Sequence, residues 1–307
     1  MKRTILTDSD SALTPAKLRA GDKVRFVSPA STPDRESVLQ GAEILKSWGL
    51  RVDFGEHAFD KLSYLAGTDE ARLSDLNLAF GDPEIRAIFA TRGGKGSYRI
   101  ADGIDFDAVS RDPKFLIGFS DITILHLSLW KHCRLIGVHG ALGDEASRDR
   151  NEALRTLLTT SKPTVIRSRE DEPTSILTTS GSAVGRLIGG NLDMVATAAG
   201  WSLPPLSGEI LLLEAVNMYL GQVDRQLTML RKGGHLAGLS GVAVGQFTEF
   251  QSNGDFTIVD LLREHLEKLD VPVLGGLPLD HGHNPLSALI GSVAVLDATS
   301  RKLTMEQ

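Results

Sequence analysis

A chain of 307 residues, 41% hydrophobic and 23% charged, has ordinary globular composition, with room for a large core and for about two domains. Its net charge of −6 argues against a nucleic-acid or anionic-membrane partner. The single cysteine, Cys133, excludes an intrachain disulfide, which suits a reducing compartment.

No apolar stretch reaches the roughly 20 residues needed to span a bilayer. Met1 to Asp10 is polar and lacks the apolar segment of a secretory signal, so a cytoplasmic protein is expected. Cys133 falls in a helical pattern and reads as a packing residue.

In chain order, Lys23 to Val27 reads as a strand and Asp34 to Trp48 as a helix that Gly49 stops. Arg51 to Phe54 is a second strand, Asp69 to Phe80 a helix, and Ala87 to Ala90 a third strand. That third strand runs into Thr91-Arg92-Gly93-Gly94-Lys95-Gly96-Ser97. Phe115 to Ile117 and Leu135 to Val138 follow as strands, with a helical pattern from Ile122 between them.

Residues 161–182 are polar and read as a linker carrying one short strand at Thr164 to Ile166. Strands are then predicted at Ala183 to Ile188, Glu209 to Glu214, Gly241 to Gln246, Val273 to Leu274 and Gly291 to Leu296, with a helix over Asp224 to Lys232. The predicted fold class is α/β. An N-terminal, mostly parallel sheet flanked by helices spans 1–160, and an α+β or barrel-like domain spans 183–307. In a parallel sheet, sites form at the carboxyl ends of the strands, where both the glycine loop and Ser120 fall.

Ser120 is the most informative residue. In Lys114-Phe-Leu-Ile-Gly-Phe-Ser-Asp-Ile-Thr123 a short apolar strand meets a glycine and then a helix. A serine on such a turn is lifted off the sheet, beside backbone N–H groups that favour negative charge. A serine nucleophile needs a base and a group to orient it.

Glu214 ends the apolar run Ile210 to Leu213, where a carboxylate is costly unless it is paired or reaches water. His281 lies in the Gly/Pro-rich stretch Gly276 to Pro285, either as a surface histidine or as a base. His281-Gly-His283 alone falls short of the three ligands of a catalytic zinc site. His139 also ends a strand and reads as a structural group.

The glycine loop lacks the spacing of a phosphate-binding loop, but its backbone N–H groups suit a developing oxyanion. Arg92, beside Gly93, suits a substrate carboxylate or an interdomain salt bridge. The second glycine of the α/β-hydrolase elbow is missing at Ile122, which disfavours that fold.

Five segments together resemble the LD-carboxypeptidase family of serine peptidases, which includes the microcin C self-immunity peptidases. They are Arg92-Gly93-Gly94-x-Gly96-Ser97, Gly118-Phe-Ser-Asp-Ile-Thr123, Gly189-Gly190-Asn191-Leu192, Leu213-Glu214 with Asp224-Arg225, and Leu277-Pro278-x-x-His281. The resemblance implies a triad of Ser120, His281 and Glu214 in an interdomain cleft, and an oxyanion hole from the N–H groups of Gly94 and Asp121. It implies no cofactor, and a homodimer.

The activity so implied is release of terminal D-alanine from muropeptide tetrapeptides. The immunity branch instead cleaves an aminoacyl-nucleotide amide, for which Trp201 and Tyr219 are candidate base-stacking residues. A non-catalytic muropeptide-binding module is a third reading, and it would leave Ser120 far from His281. Lys95, Asp280 and Ala141 depart from the family pattern and bear on substrate choice.

Overall fold

The computed structural model describes residues 11–144, 146–250, 256–279 and 281–307. Met1 to Asp10 and Asp280, both singled out above, lie outside the described residues. The first half alternates β1 (Lys23–Val27), α1 (Arg35–Ser47), β2 (Arg51–Phe54), α2 (Asp69–Gly81), β3 (Ile85–Ala90), α3 (Phe106–Arg111), β4 (Phe115–Gly118), α4 (Thr123–Cys133), β5 (Gly137–His139) and α5 (Arg148–Thr159). The first three helices start where Asp34, Thr68 and Asp105 accept hydrogen bonds from the N–H groups of Ser37, Ala71 and Ala108.

The second half comprises β6 (Thr164–Arg167), β7 (Ser182–Asn191), α6 (Leu192–Ala198), β8 (Ile210–Val216), α7 (Leu220–Lys232), β9 (Gly241–Thr248), α8 (Ile258–Leu266), β10 (Val273–Leu274), β11 (Ala288–Ile290), β12 (Val293–Asp297) and β13 (Lys302–Met305). Two sheets result. The first has the order β11-β5-β4-β3-β1-β2 and is parallel except for β11. The second, β10-β9-β8-β7-β12-β13-β6, is parallel from β10 to β7 and antiparallel beyond. It is an open mixed sheet among the described residues, which takes the α+β side of the expectation over the barrel.

Three differences from the sequence reading trace to contacts distant in sequence. Leu135 leaves the predicted fifth strand because Leu13 runs beside it, with Ile136 N–H donating to Leu13 O at 3.0 Å. The strand predicted to end at Ile188 runs on through Gly189-Gly190 to Asn191 as β7, with φ of +124° and +136° at the two glycines. A Cβ on Gly189 would stand 2.2 Å from Leu212 O of the neighbouring strand, so the close pairing demands glycine.

The predicted strand from Gly291 starts at Val293 as β12, and an unpredicted strand, β11, precedes it. β11 pairs with β5 in the first sheet, while β12 pairs with β7 in the second. Gly291 makes the turn at φ +92°, against the Trp130 ring. The short strand expected at Thr164 to Ile166 forms as β6 and pairs with β13 at the end of the second sheet.

Helix α4 carries the packing between the halves, touching α3 on one side and α6 and β7 on the other. Its residues are buried on nearly every face, including the polar His126 and Ser128. His126 donates from Nε2 to Gly118 O at 3.0 Å, pinning the carbonyl just before the Ser120 turn. Burial lowers the pKa of His126 to about 4 and that of His139 to about 3. Cys133 is buried, its thiol is pushed up to about 11 by burial, and Sγ sits 3.0 Å from Leu129 O, so it serves packing.

Two outcomes are expected. Gly189→Ala should lower stability by about 2 kcal/mol or more, from backbone strain plus overpacking, read by urea denaturation. The folded pKa values of His126 and His139 lie below the unfolded value of 6.5, so the unfolded chain binds protons first as the pH falls. Stability should therefore drop from pH 6 to pH 5 by up to roughly 1.4 kcal/mol per histidine. His126→Gln should remove its share of that slope, and an unchanged slope would refute the assignment.

Candidate functional site

The turn after β4 places Ser120 first in a single 3₁₀ turn, at φ +61°. A non-glycine residue in this region is strained, and here the surroundings hold it. Gly93 of the glycine loop lies against it, since a Cβ there would stand 2.8 Å from Ser120 Cβ. The predicted neighbours Gly93, Gly94 and Ser120 thus come together, and Arg92 lines the same cavity of about 330 Å³.

Asp121 is buried and joins the two loops. Its Oδ2 accepts from Ser97 N at 2.8 Å and from Ser97 Oγ at 2.7 Å. Burial raises its pKa, while the Ser97 hydrogen bonds act in the opposite direction. The side chain of Asp121 is therefore committed to fixing the glycine loop, which leaves only its backbone to face a substrate.

The loop is also held from below. The guanidinium of Arg72, which is 1% exposed, donates from Nη1 to Pro29 O and to Gly96 O. Ser31 Oγ accepts from Lys95 N at 3.0 Å. Arg92 donates from Nη1 to Thr32 O at 3.3 Å.

Glu214 lies on β8, where the pairing with β9 slips between Leu213 and Ala215. It has no exposed surface. Its Oε2 stands 3.6 Å from His281 Nδ1 and accepts from Asn191 Nδ2 at 3.4 Å. Asn191 faces Glu214 across β7 and β8. The Asn191 N–H donates to Thr123 Oγ1 at 3.1 Å, which reaches from the second sheet to the Ser120 turn.

The His281 ring packs on Phe119 with centroids 4.9 Å apart, and His281 lines the 330 Å³ cavity together with Ser120. The loop carrying it is gripped from several sides. Gln246 Oε1 accepts from Gly282 N at 3.0 Å, and Arg169 donates to the carbonyls of His283 and Asn284 at 2.9 and 3.0 Å. His139 lies beneath, edge-on to Phe119, fully buried. Among the described residues no three His, Cys, Asp or Glu side chains gather as a metal site.

A second cavity of about 190 Å³ also opens on Ser120, lined by Lys95, Asn191, Asp193, Asn217 and Gln222 among others. Trp201 and Tyr219 line neither of the two cavities. Sequence reasoning missed Asn191, Thr123, Gln246, Arg150 and Arg169 as site residues. Asn191 and Thr123 did lie inside motifs already quoted; nothing local marked the other three.

The description "LD-carboxypeptidase N-terminal domain" matches residues 24–140, and "LD-carboxypeptidase C-terminal domain" matches 184–296. The chain is 30% identical over 302 residues to the probable murein peptide carboxypeptidase of Bacillus subtilis, covering 95% of this chain and 94% of that protein. It is 29% identical to the murein tetrapeptide carboxypeptidase of Pseudomonas aeruginosa, covering 90% and 93%. The solved structure of the microcin C7 self-immunity protein MccF in its wild-type apo state superimposes with a TM-score of 0.86 at 25% identity, covering 96% and 98%. Two matched domains and full-length similarity to a 30% identical relative establish that this chain belongs to the LD-carboxypeptidase family.

Proposed function

We propose that the chain is a serine carboxypeptidase that releases terminal D-alanine from muropeptide tetrapeptides, with Ser120 as nucleophile, His281 as general base and acid, and Glu214 as the group that orients His281. The observation that carries this reading is that His281 shares a cavity with Ser120 while its Nδ1 faces the buried Glu214 carboxylate at 3.6 Å. That separation exceeds hydrogen-bond length, as is common before substrate binds. Murein peptide carboxypeptidases among the relatives supply the substrate class.

In the proposed cycle, Glu214 holds the proton on His281 Nδ1, so Nε2 is the basic nitrogen. Nε2 takes the Ser120 hydroxyl proton as Oγ attacks the amide carbonyl. The N–H groups of Gly94 and Asp121 are assigned to the oxyanion, and Arg92 and Gly93 to substrate contact. The imidazolium then passes its proton to the departing amine, and water repeats the sequence on the acyl-enzyme. The tether from Asp121 to Ser97 supports this assignment, because it fixes both donors' loops relative to Ser120.

Cleavage of aminoacyl-nucleotide amides, the immunity-type reading, has less support. The aromatic residues expected to stack a base, Trp201 and Tyr219, lie off both cavities. Phe119, which does line the larger one, packs on His281.

With murein tetrapeptide as substrate, Ser120→Ala and His281→Ala should each lower kcat by about 10⁴-fold or more. Glu214→Gln should cost roughly 10⁴-fold by stabilising the wrong imidazole tautomer, with KM little changed. Released D-alanine is the readout. Full release by the Ser120→Ala protein would refute the mechanism, and turnover of aspartyl sulfamoyl adenosine without any tetrapeptide cleavage would refute the substrate.

A further inference from the structure

Ser120 borders two cavities, and they differ in two respects that bear on where a substrate's ends lie. His281 lines the cavity of about 330 Å³ and is absent from the lining of the one of about 190 Å³. The charge also differs. Among the described residues, the lining of the larger cavity includes Arg92 and Arg150 and no Asp or Glu, whereas that of the smaller includes Asp193 beside Lys95.

If His281 delivers the proton that lets the amine leave, the leaving residue must depart on the His281 side of Ser120. A terminal amino acid carries its carboxylate on the carbon next to that amine. Once the amine is placed beside His281, the carboxylate has to fall within the same small cavity. There it meets a wall whose charged side chains, among the described residues, are Arg92 and Arg150. Planar guanidinium forks match a carboxylate in shape and charge.

Arg150 stands in the first turn of α5 and is half-buried. Its Nε donates to Ala141 O at 3.0 Å, which fixes the plane of the fork at the cavity wall. Arg92 approaches from the glycine loop, tethered to Thr32 O. The two cations thus come from different elements, β3–loop and α5, and converge on one cavity.

We propose that the cavity containing His281 is the leaving-residue subsite, and that Arg150, with Arg92, clamps the terminal carboxylate and so restricts the enzyme to the last residue of a peptide. This rests on the triad assigned above. A chain continuing past the scissile bond would place a neutral amide before the two cations and would lose the charge-assisted pair.

The experiment compares two tetrapeptide substrates on the full-length protein, one ending in a free carboxylate and one in a carboxamide. The wild-type ratio of kcat/KM, acid over amide, should be about 100 or more. Arg150→Gln should collapse that ratio by at least about tenfold, Arg92→Gln should do so as well, and Arg150→Lys should restore part of it. A wild-type ratio near one, or a ratio unchanged in both glutamine variants, overturns the proposal. Parallel loss on both substrates in both variants overturns it too, since the arginines would then serve only the fold. Ser120→Ala separates the two claims: turnover of both peptides by that variant sinks the triad, while the acid-to-amide ratio still reports on the clamp.

Discussion

The structure turns on a carboxylate that has no access to water. Glu214 ends a run of fully buried aliphatic residues, and removing a charged group from solvent costs several kcal/mol unless partners replace the lost hydration. The partners come from two places. Asn191 reaches across the adjacent strand, and His281 arrives on a loop far along the chain. The burial of Glu214 therefore selects a folded state in which the His281 loop is in place, because any state without it leaves the charge poorly compensated. The same arrangement places one imidazole nitrogen, Nδ1, toward the carboxylate, in a cavity that Ser120 also lines.

Asn191 extends this constraint into the first sheet. Its side chain serves Glu214 while its N–H donates to Thr123 Oγ1, three residues after Ser120. Gly190, at φ +136°, lets the strand end approach that contact, since a Cβ there would stand 2.7 Å from Thr123 Oγ1 and 3.0 Å from the His139 ring. The distance between the Ser120 turn and the buried Glu214 is thus fixed by backbone on both sides. β11 adds a second fastening, because the chain that has just formed the His281 loop pairs next with β5 of the first sheet. A stretch of apolar surface could slide; these hydrogen bonds have one register.

Much of this was legible in the residues. The strand-to-helix turn at Ser120 showed in the switch from an apolar run to a helical period, and it formed as read. Glu214 stood out because a charge ended an apolar run, and His281 because a polar residue sat among glycines and prolines. The parts that stayed hidden depend on contacts distant in sequence. Gly189-Gly190 has the composition of a turn, and only the neighbouring Leu212 carbonyl explains why it remains strand. Ala288 to Ile290 is too short to read as a strand by itself, and only its pairing with β5 makes it one, before the chain turns at Gly291 into β12 of the other sheet. Arg150 opens a polar helix and carries no local sign of facing a cavity.

The segment read as a linker shows why composition misleads there. Two of its polar residues, Arg169 and Glu172, grip other parts of the chain. Arg169 donates to two carbonyls of the His281 loop, and Glu172 accepts from Gln246 Nε2 at 2.5 Å. Gln246, 1% exposed, in turn accepts from Gly282 N–H. A chain that must hold a histidine against a buried carboxylate needs polar side chains to satisfy the backbone of a glycine-rich loop, which has few side chains of its own to pack. Residues that look like solvated connection are, for that reason, part of the device that presents His281. Since the ties run from 169 to 284 and from 191 to 123, Ser120 and His281 come to share a cavity only once the second half of the chain has folded onto the first.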